Sequence, residues 1–495
     1  MSILILINSL ILMGLLLLGN QSDVVIFLCC GVGAGAGIYI LYLFIRRIYS
    51  IRLTWLLASS LLIGYAGGCV ATLLANGLSG NYEIFAVFGI PSGYAGYALA
   101  LVNFSCALLL AGGFFENPVL GDTHIVRASW KFERFLWAML GVIAVAYFLG
   151  ELTYEGATVQ TGTQKVSILG SVSASISPIL PALAVIGLLQ SRGLRRVRYA
   201  LILLLSFIAL LPSGRRVVIY AAVLCLFSAF WLSGWKVNLT SMQKILLTAF
   251  LAVVFIISNI SLMAVRMASD MMGGASGGGS TELSMSAILP IVFNEVINDP
   301  QAIRQQLSEN YEERPLYLEE YLALLGRGGQ TPSPLWGRDV ALGFRLVIPD
   351  LLYKALGQSK AAVREIGTEE DLANEHFGLY DSDDANSILT SGIIDFGLVG
   401  VMLYPLLLCV AYRWIFSFLR AWVDEEGLLL AVLYILFVFL QTEAAVSSYI
   451  IWARDLIIAV CIWRGLYALP TLFHVPVARP EQERLEGYLT EAPSP

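Results

Sequence analysis

Apolar positions in this chain are gathered into runs of about 16 residues or more, separated by brief polar segments, without the short alternations of a water-soluble fold. A run of that length is about enough to cross the hydrocarbon core of a bilayer. With no water there, each run must satisfy its own backbone, which makes it a helix. The runs predict twelve spans, near residues 3–18, 24–45, 53–75, 94–115, 135–150, 171–190, 199–212, 217–234, 245–265, 386–411, 427–445 and 448–466. No internal repeat relates the two halves, and no short period recurs.

The ninth and tenth runs are separated by a much longer polar segment, residues 266–385. It opens on a flexible tract, Gly273-Gly274-Ala275-Ser276-Gly277-Gly278-Gly279-Ser280. Two helical patterns follow. Residues 315–325 place Leu318, Tyr321, Leu322 and Leu325 on one face, and residues 339–356 form the second. A structureless loop of this length is unusual, so the segment is expected to fold onto the membrane surface as a lid. The chain then divides into nine spans (1–265), a large outer loop (266–385), three further spans (386–468) and a tail (469–495). The expected fold class is an all-α integral membrane protein with about twelve transmembrane helices and one large, partly helical outer loop.

Charge orients this arrangement. Alternate short loops hold Arg46, Arg47 and Arg52, then Arg127, Lys131 and Arg134, then Arg192, Arg195, Arg196 and Arg198, then Lys236 and Lys244, then Arg413 and Arg420. The short loops of the other side hold only Lys165, Arg215 and Arg216. Basic residues stay on the cytoplasmic side, so both termini are expected in the cytoplasm and the long loop outside. Composition agrees: 58% of residues are hydrophobic and 13% charged, where a soluble domain carries about a quarter charged. The seven cysteines, Cys29, Cys30, Cys69, Cys106, Cys225, Cys409 and Cys461, all fall in apolar runs without metal-ligand spacing, and read as packing residues. No metal site, cofactor or nucleic-acid partner is expected. The apolar start, residues 1–18, lacks a basic leader region and reads as the first helix.

A few residues carry candidate chemistry. Arg215-Arg216, in Leu211-Pro212-Ser213-Gly214-Arg215-Arg216, directly follow the seventh span, at a helix junction on the side that positive charge avoids. Two guanidiniums there form a fork suited to a pyrophosphate, the alternative being contact with lipid headgroups alone or snorkelling. Arg266 is the second candidate, with Arg338 and Arg345 behind it, although an arginine in so acidic a loop is more often a salt-bridge partner. His376, the one histidine on the outer side, is a candidate general base or a bystander. Asp381-Ser382-Asp383-Asp384 reads as an oxygen cluster or an acidic helix start. Asp395, Glu443 and Arg454-Asp455 are costly inside a span, and are either structural glue or the lining of a cavity. The string Gly31-Val32-Gly33-Ala34-Gly35-Ala36-Gly37 lies within a span, where small residues let helices approach, and is not a phosphate loop.

Several of these features together resemble the Wzy-type polysaccharide polymerases of the O-antigen polymerase and ligase superfamily. They are the dozen helices, the large late outer loop, and Ser213-Gly214-Arg215-Arg216 at an outer helix junction. Ile348-Pro349-Asp350-Leu351-Leu352-Tyr353-Lys354 is similar to the proline-centred loop segment of that family. The stretch from Asp384-Ala385-Asn386-Ser387 to Asp395-Phe396-Gly397-Leu398-Val399-Gly400 resembles its loop exit. Asp350 stands where an arginine often follows the loop proline, so no phosphate role transfers to that position. The resemblance spans roughly residues 200–465.

The resemblance implies a GT-C-like glycosyltransferase of the bacterial inner membrane. Its substrates would be undecaprenyl-pyrophosphate-linked oligosaccharide repeat units at the outer leaflet. It implies inverting transfer, in which an acceptor hydroxyl attacks the anomeric carbon and the lipid pyrophosphate leaves. Arg215, Arg216, Arg266, Arg338 and Arg345 would hold the pyrophosphate and glycan, and His376 or a loop carboxylate would take the proton. The outer segment Gly19-Asn20-Gln21-Ser22-Asp23 lacks the acidic pair of metal-dependent GT-C enzymes. A flippase and a chain-length regulator are the partners such a polymerase implies. An O-antigen ligase shares the same helices, loop and lipid donor. A transporter would be expected to show paired halves and broken helices at the midplane. A scaffold for an export complex would have no use for arginines on the disfavoured side.

Overall fold

The computed structural model describes residues 1–17, 23–46, 50–70, 94–118, 128–149, 176–210, 215–229, 334–348, 387–441 and 444–472, with a few single residues between them. The regular structure among these residues is helical, with no β-strand. Among the described residues, five helices are long and apolar enough to cross a membrane: Val24–Phe44, Leu53–Val70, Gly96–Phe115, Leu398–Arg420 and Val446–Gly465. Ser2–Gly14 and Ser177–Gln190 are shorter apolar helices. The chain is therefore a helical membrane protein.

In order, the helices are α1 (Ser2–Leu17), α2 (Asp23–Ile45), α3 (Leu53–Leu61), α4 (Tyr94–Gly112), α5 (Trp130–Phe148), α6 (Leu180–Gln190), α7 (Gly193–Leu210), α8 (Arg215–Phe227), α9 (Arg338–Val347), α10 (Ile388–Phe396), α11 (Leu398–Arg420), α12 (Glu425–Leu440) and α13 (Val446–Leu472). A π-helical turn, Leu62–Ala66, prolongs α3. Helices occur within the other expected runs, five of them long and apolar enough to span, while the run at 245–265 lies outside the described residues.

Small polar groups fix the first four helices. Ser2 and Ser9 of α1 donate to the carbonyls of Ala107 and Ala100 at 3.0 and 2.6 Å, so α1 and α4 run antiparallel. Glu116 accepts from the backbone N–H groups of Leu53 and Thr54 at 2.9 and 3.1 Å, capping α3, whose own first residues carry no acid. The glycine string of α2 packs as its lipid setting predicts. A methyl on Gly37 would lie 2.8 Å from the carbonyl of Ser59, and one on Gly33 3.1 Å from the Ala66 methyl. Gly31 and Gly35 meet nothing within 4 Å. Of the cysteines, Cys461 departs from the packing role: it is exposed on α13.

A second set of polar ties gathers the starts of α5, α7 and α12 with the end of α11. Glu133 of α5 pairs with Arg195 and Arg198 of α7 at 3.1 and 3.4 Å. Glu426 of α12 accepts from the backbone N–H and hydroxyl of Ser129 at 2.7 and 3.0 Å. Farther along α13, Trp463 donates to Asp424 and Arg464 donates to the Trp422 carbonyl, both at 2.9 Å. This is the arginine-rich end of the later helices. Gly397, Val446 and the first residues of α8 lie at their far end, because α11 and α13 run lengthwise from there and α7 climbs to it.

The tenth expected span, 386–411, is not one helix. The chain breaks at Gly397, whose φ of 62° is open to glycine and strained for other residues. In a continuous helix, positions eight apart are separated by about 12 Å along the axis. Here the backbones of Gly392 and Gly400 touch, and a methyl on either would overlap the other's carbonyl. The chain therefore turns sharply between α10 and α11. Every residue of α10 from Ile388 to Asp395 is buried, including polar Thr390, Ser391 and Asp395.

Candidate functional site

The far end of the later helices is organised around α9, the described helix of the long loop. It was expected over 339–356 and is observed over Arg338–Val347; Ile348 is extended at ψ 126°, as a residue before proline prefers. Its N-cap position is Gly337, which has no side chain to satisfy the first N–H groups of the helix. Asp395, at the end of α10, supplies the cap from 56 residues away. Its carboxylate accepts from the N–H groups of Asp339 and Val340 at 3.1 and 3.3 Å. The Tyr404 hydroxyl of α11 donates to the same carboxylate at 2.5 Å.

The segment leading into α9 is tied to the same corner. Leu335 and Trp336 donate to the carbonyls of Ile394 and Asp395 at 3.0 and 2.9 Å, satisfying acceptors that the end of α10 leaves open. Trp336 holds a φ of 54°, unusual for a residue with a side chain. Those hydrogen bonds and an edge-on contact with Phe396, with ring centroids 6.2 Å apart, stabilise that conformation. Farther along α9, Gly343 lies against α13: a methyl there would fall 2.9 Å from the Ser447 Cα and 2.8 Å from the Ile450 side chain. Ser391 of α10 in turn accepts from the Val446 N–H at 3.0 Å, joining the start of α13 to the cluster. Asp395 is thus structural glue.

Asp339, Leu342 and Gly343 are buried on the inner face of α9, whereas Arg338 and Arg345 are exposed. Seven residues apart, the two arginines share a helix face. Trp336 and Phe344 are exposed beside them, 74% and 60%. An amphipathic helix with aromatic and arginine side chains outward suits the boundary between lipid and water. Neither guanidinium has a hydrogen-bond or ion-pair partner among the described residues.

The other expected site residues divide in two. Arg215 and Arg216 are the first two residues of α8, so their backbone lies at the far end, the end that carries α9. Arg266 and His376 lie outside the described residues, as do Glu443 and the acidic run at 381–384. Arg454 and Asp455 do pair, through the Arg454 Nη2 and Nε groups at 2.7 and 2.8 Å from one Asp455 oxygen. Sequence reasoning did not anticipate the cap on α9, Tyr404 as its third partner, or Trp336. The available signal was Gly337, a helix start without a capping side chain, together with an unexplained buried acid.

Comparison with protein-family models, with curated proteins and with solved structures finds no match to this chain.

Proposed function

We propose that this chain is a bacterial polysaccharide polymerase of the Wzy type, with about twelve transmembrane helices, both termini cytoplasmic and α9 on the outer face. It joins oligosaccharide repeat units carried on polyprenyl pyrophosphate. An acceptor hydroxyl forms the new bond at the anomeric carbon as the bond to the lipid pyrophosphate breaks. The hydroxyl proton passes to a base, for which His376 is the candidate, and the polyprenyl pyrophosphate departs. The observation that most supports this reading is α9, a loop helix fastened to the bundle by Asp395 with Arg338 and Arg345 exposed on one face. The backbone of Arg215-Arg216 lies at the same end. Charge accumulates on the leaving pyrophosphate in the transition state, and fixed guanidiniums at that end would stabilise it.

The test is substitution of the pair that opens α8. Arg215→Ala and Arg216→Ala should each reduce polymer formation by about 10²–10³-fold, the usual effect of removing a donor from a developing anion. Protein level and the single lipid-linked repeat unit should remain. Arg→Lys at either position should restore little, since an ammonium lacks the two-pronged geometry. Wild-type polymer in both alanine variants would exclude the pair from the reaction.

A further inference from the structure

One arginine is distributed unlike the others. Among the described residues of α11, α12 and α13, Arg413, Arg420 and Arg464 lie toward the arginine-rich end, and Arg464 donates to Trp422 there. Arg454 lies in the far half of α13, only 20% exposed. Placing a guanidinium there is costly enough to call for a function or a partner. It has a partner, but an incomplete one. Asp455 takes the Nε–Nη2 edge, and the Nη1 group has no partner among the described residues. Asp455 thus offsets part of the cost of a buried charge and holds the guanidinium plane.

Position gives the arrangement its direction. Ser447 and Ile450, where α9 rests on α13, precede Arg454 by seven and four residues, so the three share one helix face. Side chains lean toward a helix's N-terminus, which for α13 is the end under α9. In the other direction the same face continues through Ile457, 41% exposed, and Cys461, also exposed. One outward stripe therefore runs from apolar, lipid-facing side chains to a half-paired guanidinium and then beneath a helix bearing two exposed arginines. We infer that this stripe is the track along which a lipid phosphate docks, its chain along Ile457 and Cys461 and its phosphate on the free edge of Arg454 below α9. This rests on the lipid-linked substrate proposed above and adds where that lipid meets the bundle.

The test uses the whole protein in lipid nanodiscs with two probes, a polyprenyl monophosphate and the polyprenol of the same length. Wild type should prefer the phosphate, and Arg454→Gln should lose roughly 10- to 100-fold in phosphate affinity while binding the alcohol unchanged. Asp455→Asn, which keeps the guanidinium, should retain the preference. Should Arg454→Gln alone fail to fold, the double variant Arg454→Gln/Asp455→Asn removes both charges and should show the same loss. No discrimination by wild type, or a preference kept in either Arg454 variant, overturns the inference. No glycan enters this measurement, so its outcome is independent of whether the chain extends repeat units.

Discussion

Asp395 fastens α9 to α10 and α11, a link that the apolar runs do not encode. Inside a low-dielectric bundle an ionisable carboxyl is stable when all its acceptor positions are engaged. Here two backbone N–H groups of α9 and the Tyr404 hydroxyl engage it. Asp395→Ala removes the cap and leaves three donors without an acceptor, which should weaken the docking of α9 by about 1–3 kcal/mol. Hydrogen exchange of the α9 amides would report this as roughly 5- to 150-fold faster exchange, while the amides of α12 stay protected. Tyr404→Phe removes one donor only and should cost about 0.5–1.5 kcal/mol. Equal protection of α9 in wild type and Asp395→Ala would show that the cap does not hold the helix. Because Arg338 and Arg345 ride on α9, the same variant should also lower glycan extension if those guanidiniums meet the substrate.

Among the elements, glycines separate close crossings from open faces. A methyl on Gly400 has nowhere to go but the Gly392 carbonyl, so Gly400→Ala should destabilise the protein by about 3 kcal/mol or more. Gly31→Ala and Gly35→Ala place the methyl in open space on α2 and should be neutral, or stabilising by about 0.5–1 kcal/mol. Thermal unfolding in detergent distinguishes them, and equal melting of Gly400→Ala and Gly31→Ala would contradict the α10–α11 corner. That corner also marks what the sequence leaves hidden. The helical membrane character was legible in the long apolar runs, and α9 in the helical period of its polar and apolar faces. The break at Gly397 was not: Phe396-Gly397-Leu398 sits within apolar sequence, and a glycine is tolerated in a spanning helix. The pair Gly392 and Gly400, flanking Gly397, was the cue. The acid that caps α9 was recognisable as costly, but its partners on α9 are 55 and 56 residues away, and no periodicity encodes a hydrogen bond of that range.

Across the whole molecule, the polar ties of the later helices have two characters. At the arginine-rich end, acidic side chains pair with arginines and serine between helix starts, as Glu133 and Glu426 do. At the far end, α9 is fastened by backbone caps, and the guanidiniums of Arg338 and Arg345 remain exposed. That asymmetry supports the proposed action on an anionic lipid at one membrane face. Its direct test is reconstitution: the purified protein in liposomes, supplied with repeat units on polyprenyl pyrophosphate and nothing else. A polymerase should yield a ladder of lipid-linked glycans that grows by whole repeat units, with one polyprenyl pyrophosphate released per unit joined. Single units left unjoined, with no pyrophosphate lipid released while the protein remains folded, would contradict the proposed reaction.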